Sequence, residues 1–373
     1  MIYLDNAATT MVSKEIVDTV SQYLNINYGN PSSLHSFGKR ANIILDNSRK
    51  EIASCINCKD SEIYFTSGGT EANNIAIIGY MKNKKGKHII TTSIEHKATI
   101  NSCKYLEQIG YKVTYIKPNK SGIILTDDVI NAICNDTELI TMMMVNNEIG
   151  TIQPIREISK LSDICLHVDA IQGFGHLPID VNELGIDMMS ISGHKIHAPK
   201  GIGALYIRKG IEISPIIYGG GQEEGLRSGT ENVSGIACLG KAAIMAKNNV
   251  GNNQIRKLSN KLIYNITSNL EDVKLNGCIN NRVPHIVNLC FEDVDAESLL
   301  LLLDMNNIYV SSGAACSSND DNVFSHVLES IGLSESEIRC SLRISLSRYT
   351  TEYEIDEVVK TIILCVNKLR NMY

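Results

Sequence analysis

A chain of 373 residues has room for about two domains at roughly 150 residues each. With 43% hydrophobic and 20% charged residues it has ordinary globular composition, which argues against disorder, and a net charge of -6 argues against a strongly basic nucleic-acid surface. No apolar run approaches the roughly 18 residues of a membrane span, and Met1-Ile-Tyr-Leu-Asp-Asn6 has no basic segment followed by an apolar signal core, so the sequence predicts a cytoplasmic protein without membrane contact.

The opening Tyr3-Leu-Asp-Asn-Ala-Ala-Thr-Thr10 is a short extended piece followed by small residues, which let backbone approach a ligand, and a helix is expected over 12–24. Tyr28-Gly-Asn-Pro-Ser-Ser-Leu-His-Ser-Phe-Gly38 is dense in turn formers and reads as a loop. The next helix spaces Ala41, Ile44, Leu45, Ser48 and Ile52 on one face and carries Cys55 along the same stripe. Cys55 and Cys58 form a C-x-x-C, but no second such pair completes a four-ligand zinc site, so no metal is expected. The eleven cysteines are irregularly spaced and odd in number, which fits reduced thiols.

Residues 62–76 run strand, glycine turn, helix, with Gly68, Gly69 and Thr70 at the turn. Free N–H groups and the positive end of a helix dipole favour an anion there, although an ordinary strand-to-helix turn has the same pattern. The turn matches neither a Walker loop nor G-x-G-x-x-G, which disfavours a nucleotide. Strand-like and helix-like runs then alternate through 88–145, and the apolar Leu139-Ile-Thr-Met-Met-Met-Val145 is typical of a parallel strand covered on both faces. In such an α/β sheet ligands gather at the carboxyl ends of strands. There the sequence places Glu95-His-Lys, Asn146-Asn-Glu-Ile-Gly and His167-Val-Asp-Ala-Ile-Gln172.

Met188-Met-Ser-Ile leads into Ser192-Gly-His-Lys-Ile-His-Ala-Pro-Lys-Gly201. A lysine just past a buried strand loses hydration, and the neutral amine this favours can condense with an aldehyde. Small donors beside it, a His ring, and an Asp able to pair a ring nitrogen describe pyridoxal phosphate, with Lys195 as the first candidate. Gly219-Gly-Gly-Gln-Glu-Glu-Gly-Leu-Arg-Ser-Gly-Thr230 reads as a flexible segment. The remainder looks like a smaller α/β unit that closes on a helix opened by Thr351-x-x-Glu354, a capping box. Within it Cys316 sits among small and polar residues, a setting suited to a nucleophilic thiolate. Arg343 alternates with apolar neighbours on a strand, where its guanidinium either grips a substrate carboxylate or closes an intramolecular ion pair.

With these motifs, and with Gly29-Asn-Pro-Ser-Ser, Arg227-Ser-Gly-Thr-Glu-Asn and Ser345-Leu-Ser-Arg-Tyr-Thr-Thr, the chain resembles the NifS/IscS-type cysteine desulfurases over essentially its whole length. The resemblance implies pyridoxal-phosphate fold type I. A large domain over 14–250 would hold a mostly parallel seven-stranded sheet between helices, and residues 1–13 and 251–373 would form a smaller α/β domain. It implies pyridoxal 5'-phosphate on Lys195, stacked by His96, paired at its ring nitrogen by Asp169 and contacted at its oxygen by Gln172 and Asn147. Gly69, Thr70, Ser192 and His194 would bind the phosphate, joined by Thr230 from the partner subunit of a homodimer. Arg343, with Asn147, would hold the carboxylate of L-cysteine, and His96, Lys195 and Cys316 would be catalytic, Cys316 keeping the sulfur as a persulfide while alanine leaves. The acceptor would be an iron–sulfur scaffold or a tRNA-thiolating enzyme, with no direct nucleic-acid contact. Asn319-Asp-Asp-Asn-Val-Phe324 departs from the family's usual Leu-Glu-Pro ending, Gln222 resembles the NifS branch, and the chain stops at Tyr373, departures that would favour the tRNA-thiolating acceptor. An aminotransferase, the neighbouring alternative, gives Cys316 no role; a selenocysteine lyase is the other, and a non-catalytic homologue would have no need to keep Lys195, Asp169, His96 and Cys316.

Overall fold

The computed structural model describes residues 1–312 and 324–371. Thirteen strands fall into three groups among them. The chain starts on β1 (Ile2–Tyr3). It then builds the seven strands of the large sheet, β2 (Ile63–Thr66), β3 (His88–Thr92), β4 (Lys112–Ile116), β5 (Thr137–Met143), β6 (Cys165–Asp169), β7 (Met188–Ser192) and β8 (Gly203–Ile207). The remaining strands are β9 (Val273–Leu275), β10 (Ile286–Phe291), β11 (Ile308–Tyr309), β12 (Ser311–Ser312) and β13 (Ser341–Ser345).

The large sheet has the order β2-β8-β7-β6-β5-β3-β4, and only β8 runs against its neighbours, so the sheet is mostly parallel as expected. Both faces are dry. Ile90, Ile140, Leu166, Met189 and Ala204 join one core with the helices Ser36–Ile56 and Val233–Lys247, while Ile89, Leu139, Cys165, Met188 and Leu205 join a second with the helix Lys97–Gln108. Adjacent residues of each strand thus enter opposite cores, the period-two consequence of the pleat. This is why the strands read as unbroken apolar runs.

The smaller sheet, β12-β13-β10-β9, is antiparallel and has its own core, in which Leu262, Ile266, Leu299, Leu303, Ile355, Val358 and Ile362 pack on Val287, Leu289, Leu342 and Ile344. The start of the chain belongs to that core. β1 pairs in parallel with β11, Leu4 is buried, and Asp5 bridges Ser345. From there Ala7 and Ala8 cross to the large sheet, where Thr10 Oγ1 donates to the His194 carbonyl at 2.8 Å. No helix among the described residues is long and apolar enough to cross a membrane.

Gly219–Thr230, expected to be flexible, is instead pinned. Arg49 pairs Glu223 at 2.9 Å, Arg227 pairs Glu71 at 2.7 Å, and the Gly229 N–H donates to Gln222 Oε1 at 2.8 Å. The glycines serve positive φ at Gly221, Gly225 and Gly229 in a tightly wound turn rather than mobility.

Candidate active site

Five loops at the carboxyl edge of the large sheet meet the small sheet around a cavity of about 490 Å³, a size suited to a small cofactor with its substrate. Among its lining residues are Gly69, Thr70, His96, Asn147, Asp169, Gln172, Ser192, His194, Lys195 and Arg343. These include every site residue expected from the sequence within the described region except Thr230, which is exposed and lies elsewhere on the surface of the single chain.

Lys195 follows β7 on a single helical turn that puts its half-buried side chain under the N-terminal segment, where Nζ donates to the carbonyls of Ala7 (2.5 Å) and Ala8 (2.8 Å). Gln172 Nε2 donates to the same Ala7 carbonyl at 2.9 Å. Asp169 ends β6 and is 5% exposed; Asn73 Nδ2 holds its Oδ2 at 2.7 Å and the Ile171 N–H its Oδ1 at 3.0 Å. Two donors fix the carboxylate without neutralising it, which suits an acceptor for a protonated ring nitrogen. His96 caps the helix Lys97–Gln108, its Nδ1 accepting from the Ala98 N–H at 3.1 Å. Burial, the largest influence, holds this imidazole below its ordinary value, so it is neutral near pH 7. Burial likewise pushes His194 down to about 4. Its Nδ1 lies 3.2 Å from Thr9 Oγ1.

Gly69 begins the helix Gly69–Asn74 at the end of β2. A Cβ there would lie 2.1 Å from Ile171 Cδ1 and 3.5 Å from Ser192 Cβ, so a larger residue would displace the Ile171 side chain at the cavity floor. The small sheet supplies the opposite wall. Arg343 on β13 donates from Nη2 to Asp5 at 2.8 Å and from Nη1 to the Asn147 carbonyl at 3.0 Å, while its buried Nε has no partner among the described residues. The two alternatives open in the sequence coexist: Arg343 closes an internal ion pair and also faces the cavity.

Cys316 lies outside the described residues, but Ser311 and Ser312 before it and Phe324, Ser325 and His326 after it all line the cavity. The sequence reading missed Asp5, Asn73, Glu148 and His326. Each stands within a motif already singled out or next to one, and what brings them in is pairing over long sequence distance. Cys55 and Cys58 both have thiols raised by burial, Cys58 to about 12, so neither is a thiolate at neutral pH.

The family model for aminotransferase class-V matches residues 2–358. A cysteine desulfurase IscS of Methanosarcina thermophila is 46% identical over 100% of this chain and 93% of its own length. Among solved structures, a NifS-like protein superposes with a TM-score of 0.93 at 34% identity, covering 98% of this chain and 99% of the other. A structure described as SspA in complex with cysteine reaches 0.84 at 38% identity, over 94% and 100%. The chain belongs to the aminotransferase class-V family. Within it the chain falls among the NifS/IscS-type cysteine desulfurases, with their type I fold and their dependence on pyridoxal phosphate. The donor set fits that cofactor: an amine, a fixed buried carboxylate, a neutral ring and a glycine-opened helix start surround one cavity.

Proposed function

We propose that this chain converts L-cysteine to L-alanine and keeps the sulfur as a persulfide on Cys316. The observation that carries the reading is the convergence of Lys195, Asp169, His96 and Arg343 on a cavity flanked by both ends of the Cys316 segment. The relative described in complex with cysteine supports the substrate.

Lys195 would hold the cofactor, with Asp169 at its ring nitrogen, His96 against its ring, Gln172 and Asn147 at its oxygen, and Gly69, Thr70, Ser192 and His194 at its phosphate. The cofactor, when bound, supplies an electron sink that acidifies the substrate Cα proton. Arg343 and Asn147 orient the substrate carboxylate; the guanidinium's fork matches two carboxylate oxygens. The Lys195 amine, placed beneath Ala7 and Ala8, takes the Cα proton. His96, neutral and within the same cavity, serves proton movement at the substrate sulfur. The Cys316 thiolate then forms an S–S bond as the substrate Cβ–S bond breaks, the carbon retaining the electron pair and taking a proton. Cysteine plus a thiol becomes alanine plus a persulfide, balanced without an external oxidant.

In this reading the enzyme is a cytoplasmic homodimer in which Thr230 completes the partner's phosphate site, and it serves an iron–sulfur scaffold or a tRNA-thiolating enzyme. Intact mass and peptide mapping of the holoprotein after brief exposure to L-cysteine without reductant test the reaction. One added sulfur on Cys316 with matching alanine is expected, and none in Cys316→Ala. Alanine formed without that persulfide, or no alanine, would overturn the reading.

A further inference from the structure

Two consecutive residue pairs at the carboxyl edge of the large sheet grip the chain just beyond the Cys316 segment. Ile94 and Glu95 follow β3, and Glu148 and Ile149 follow β5. The isoleucines are buried in a cluster of their own with Val327, Leu328, Ile331 and Ile338, with Phe324 and Leu333 packed against it. The two glutamates supply the polar half of each grip, Glu148 with its carboxyl group and Glu95 with its main-chain carbonyl. Ser325 Oγ donates to Glu148 Oε2, and His326 Nε2 lies 2.9 Å from the Glu95 carbonyl, which can only accept, so Nε2 carries a proton. Ser325 Oγ also accepts from the Leu328 N–H at 3.1 Å and so caps the helix His326–Ser330.

Glu148 is itself held at both backbone groups. Its N–H donates to Asn146 Oδ1 at 2.9 Å and its carbonyl accepts from Asn288 Nδ2 at 3.2 Å, which ties the large sheet to β10. The reaction above gives chemistry to neither Glu148 nor His326, yet both line the cavity. Resting on the desulfurase reading, we propose that Glu148 and His326 are positioning residues that fix residues 324–326 at the cavity wall and set the rate of sulfur transfer to Cys316, without setting affinity for L-cysteine.

Burial, the largest cause, pushes the Glu148 carboxyl above its ordinary value, while the hydrogen bond from Ser325 and then His326, Arg343 and Lys97 pull it back. Glutamine keeps the length of the side chain and an oxygen that can accept from Ser325 Oγ, whereas alanine keeps neither. That makes the two substitutions of Glu148 informative.

The test uses holoenzyme variants E148A, E148Q, H326N and H326Q. Single-turnover quenching with intact mass reads Cys316 persulfide, and titration of the cofactor absorbance reads L-cysteine affinity. A misplacement of the order of an ångström slows transfer about ten- to hundredfold. We expect that loss in E148A and in H326N, whose shortened donor misses the Glu95 carbonyl, with affinity unchanged. E148Q and H326Q, which restore the bonds, should recover most of the rate. Affinity falling in step with the rate, no slowing, or glutamine variants as slow as E148A and H326N would overturn the proposal. A wild-type enzyme that forms no Cys316 persulfide overturns the desulfurase reading itself, an outcome distinct from any difference among variants.

Discussion

The two walls of the cavity are built by different means. On the large-sheet wall, Asp169 and Lys195 stand within three residues of a parallel strand's end and His96 four residues beyond one. On the small-sheet wall, Arg343 is placed by antiparallel pairing of β13 with β10 and β12, and is then oriented by Asp5 from the opposite end of the chain. On the first wall each of these residues owes its place to a nearby strand end, although Asn73 and the Ala7 and Ala8 carbonyls reach Asp169 and Lys195 from far along the chain. The second depends on contacts hundreds of residues apart, which suits a surface that reads the substrate rather than supports the cofactor.

The largest effect that should separate the walls comes from Asp169→Asn, which removes the fixed negative charge held by Asn73 and Ile171. We expect kcat for alanine formation to fall at least about a hundredfold with KM little changed. Arg343→Lys acts on the other wall. A single ammonium cannot replace the fork, so KM for L-cysteine should rise about tenfold with a smaller effect on kcat. Equal kcat and KM responses in both variants would erase the proposed division.

Against β3 and β5 of the large sheet lies Glu95, fully buried, its Oε1 accepting from Thr92 Oγ1 at 2.6 Å and the Met143 N–H at 2.9 Å while Oε2 lacks a partner among the described residues. Burial, the largest cause, pushes its carboxyl up to about 8 from an ordinary 4.5. The folded protein therefore binds this proton more tightly than the unfolded chain, and the contribution of Glu95 to stability falls as pH rises from about 4.5 through about 8. Glu95→Gln removes the ionisation. The Tm of the variant should gain on that of wild type across this window, and thermal melts at pH 5, 7 and 9 that stay parallel would refute the assignment. The smallest effect belongs far from either wall: Thr351→Ala deletes the cap of the helix Glu352–Arg370 and should cost about 1 kcal/mol in denaturant unfolding with turnover unchanged.

What was legible in the sequence follows the same division. The apolar run at Leu139 signalled a buried parallel strand because period-two burial on both faces leaves no polar alternation to see. Lys195 and Asp169 stood out because strand ends concentrate ligand-facing groups. Arg343 remained ambiguous since nothing local identifies Asp5 as its partner, and Glu148, although inside a recognised motif, had no visible reason to meet Ser325. The glycine-rich run misled because glycine permits both mobility and tight turns, and only the distant Arg49 and Glu71, pairing with Glu223 and Arg227 of the run, decide which.

The N-terminal segment has a consequence for the order of events in synthesis. Asn6 Nδ2 donates to the Ser345 carbonyl across a separation of 339 residues, and Ala7 and Ala8 roof Lys195. These residues emerge early from the ribosome, yet their β partners are translated near the end. Contacts of such long range close late in folding. The large sheet can therefore assemble while Lys195 is still unroofed.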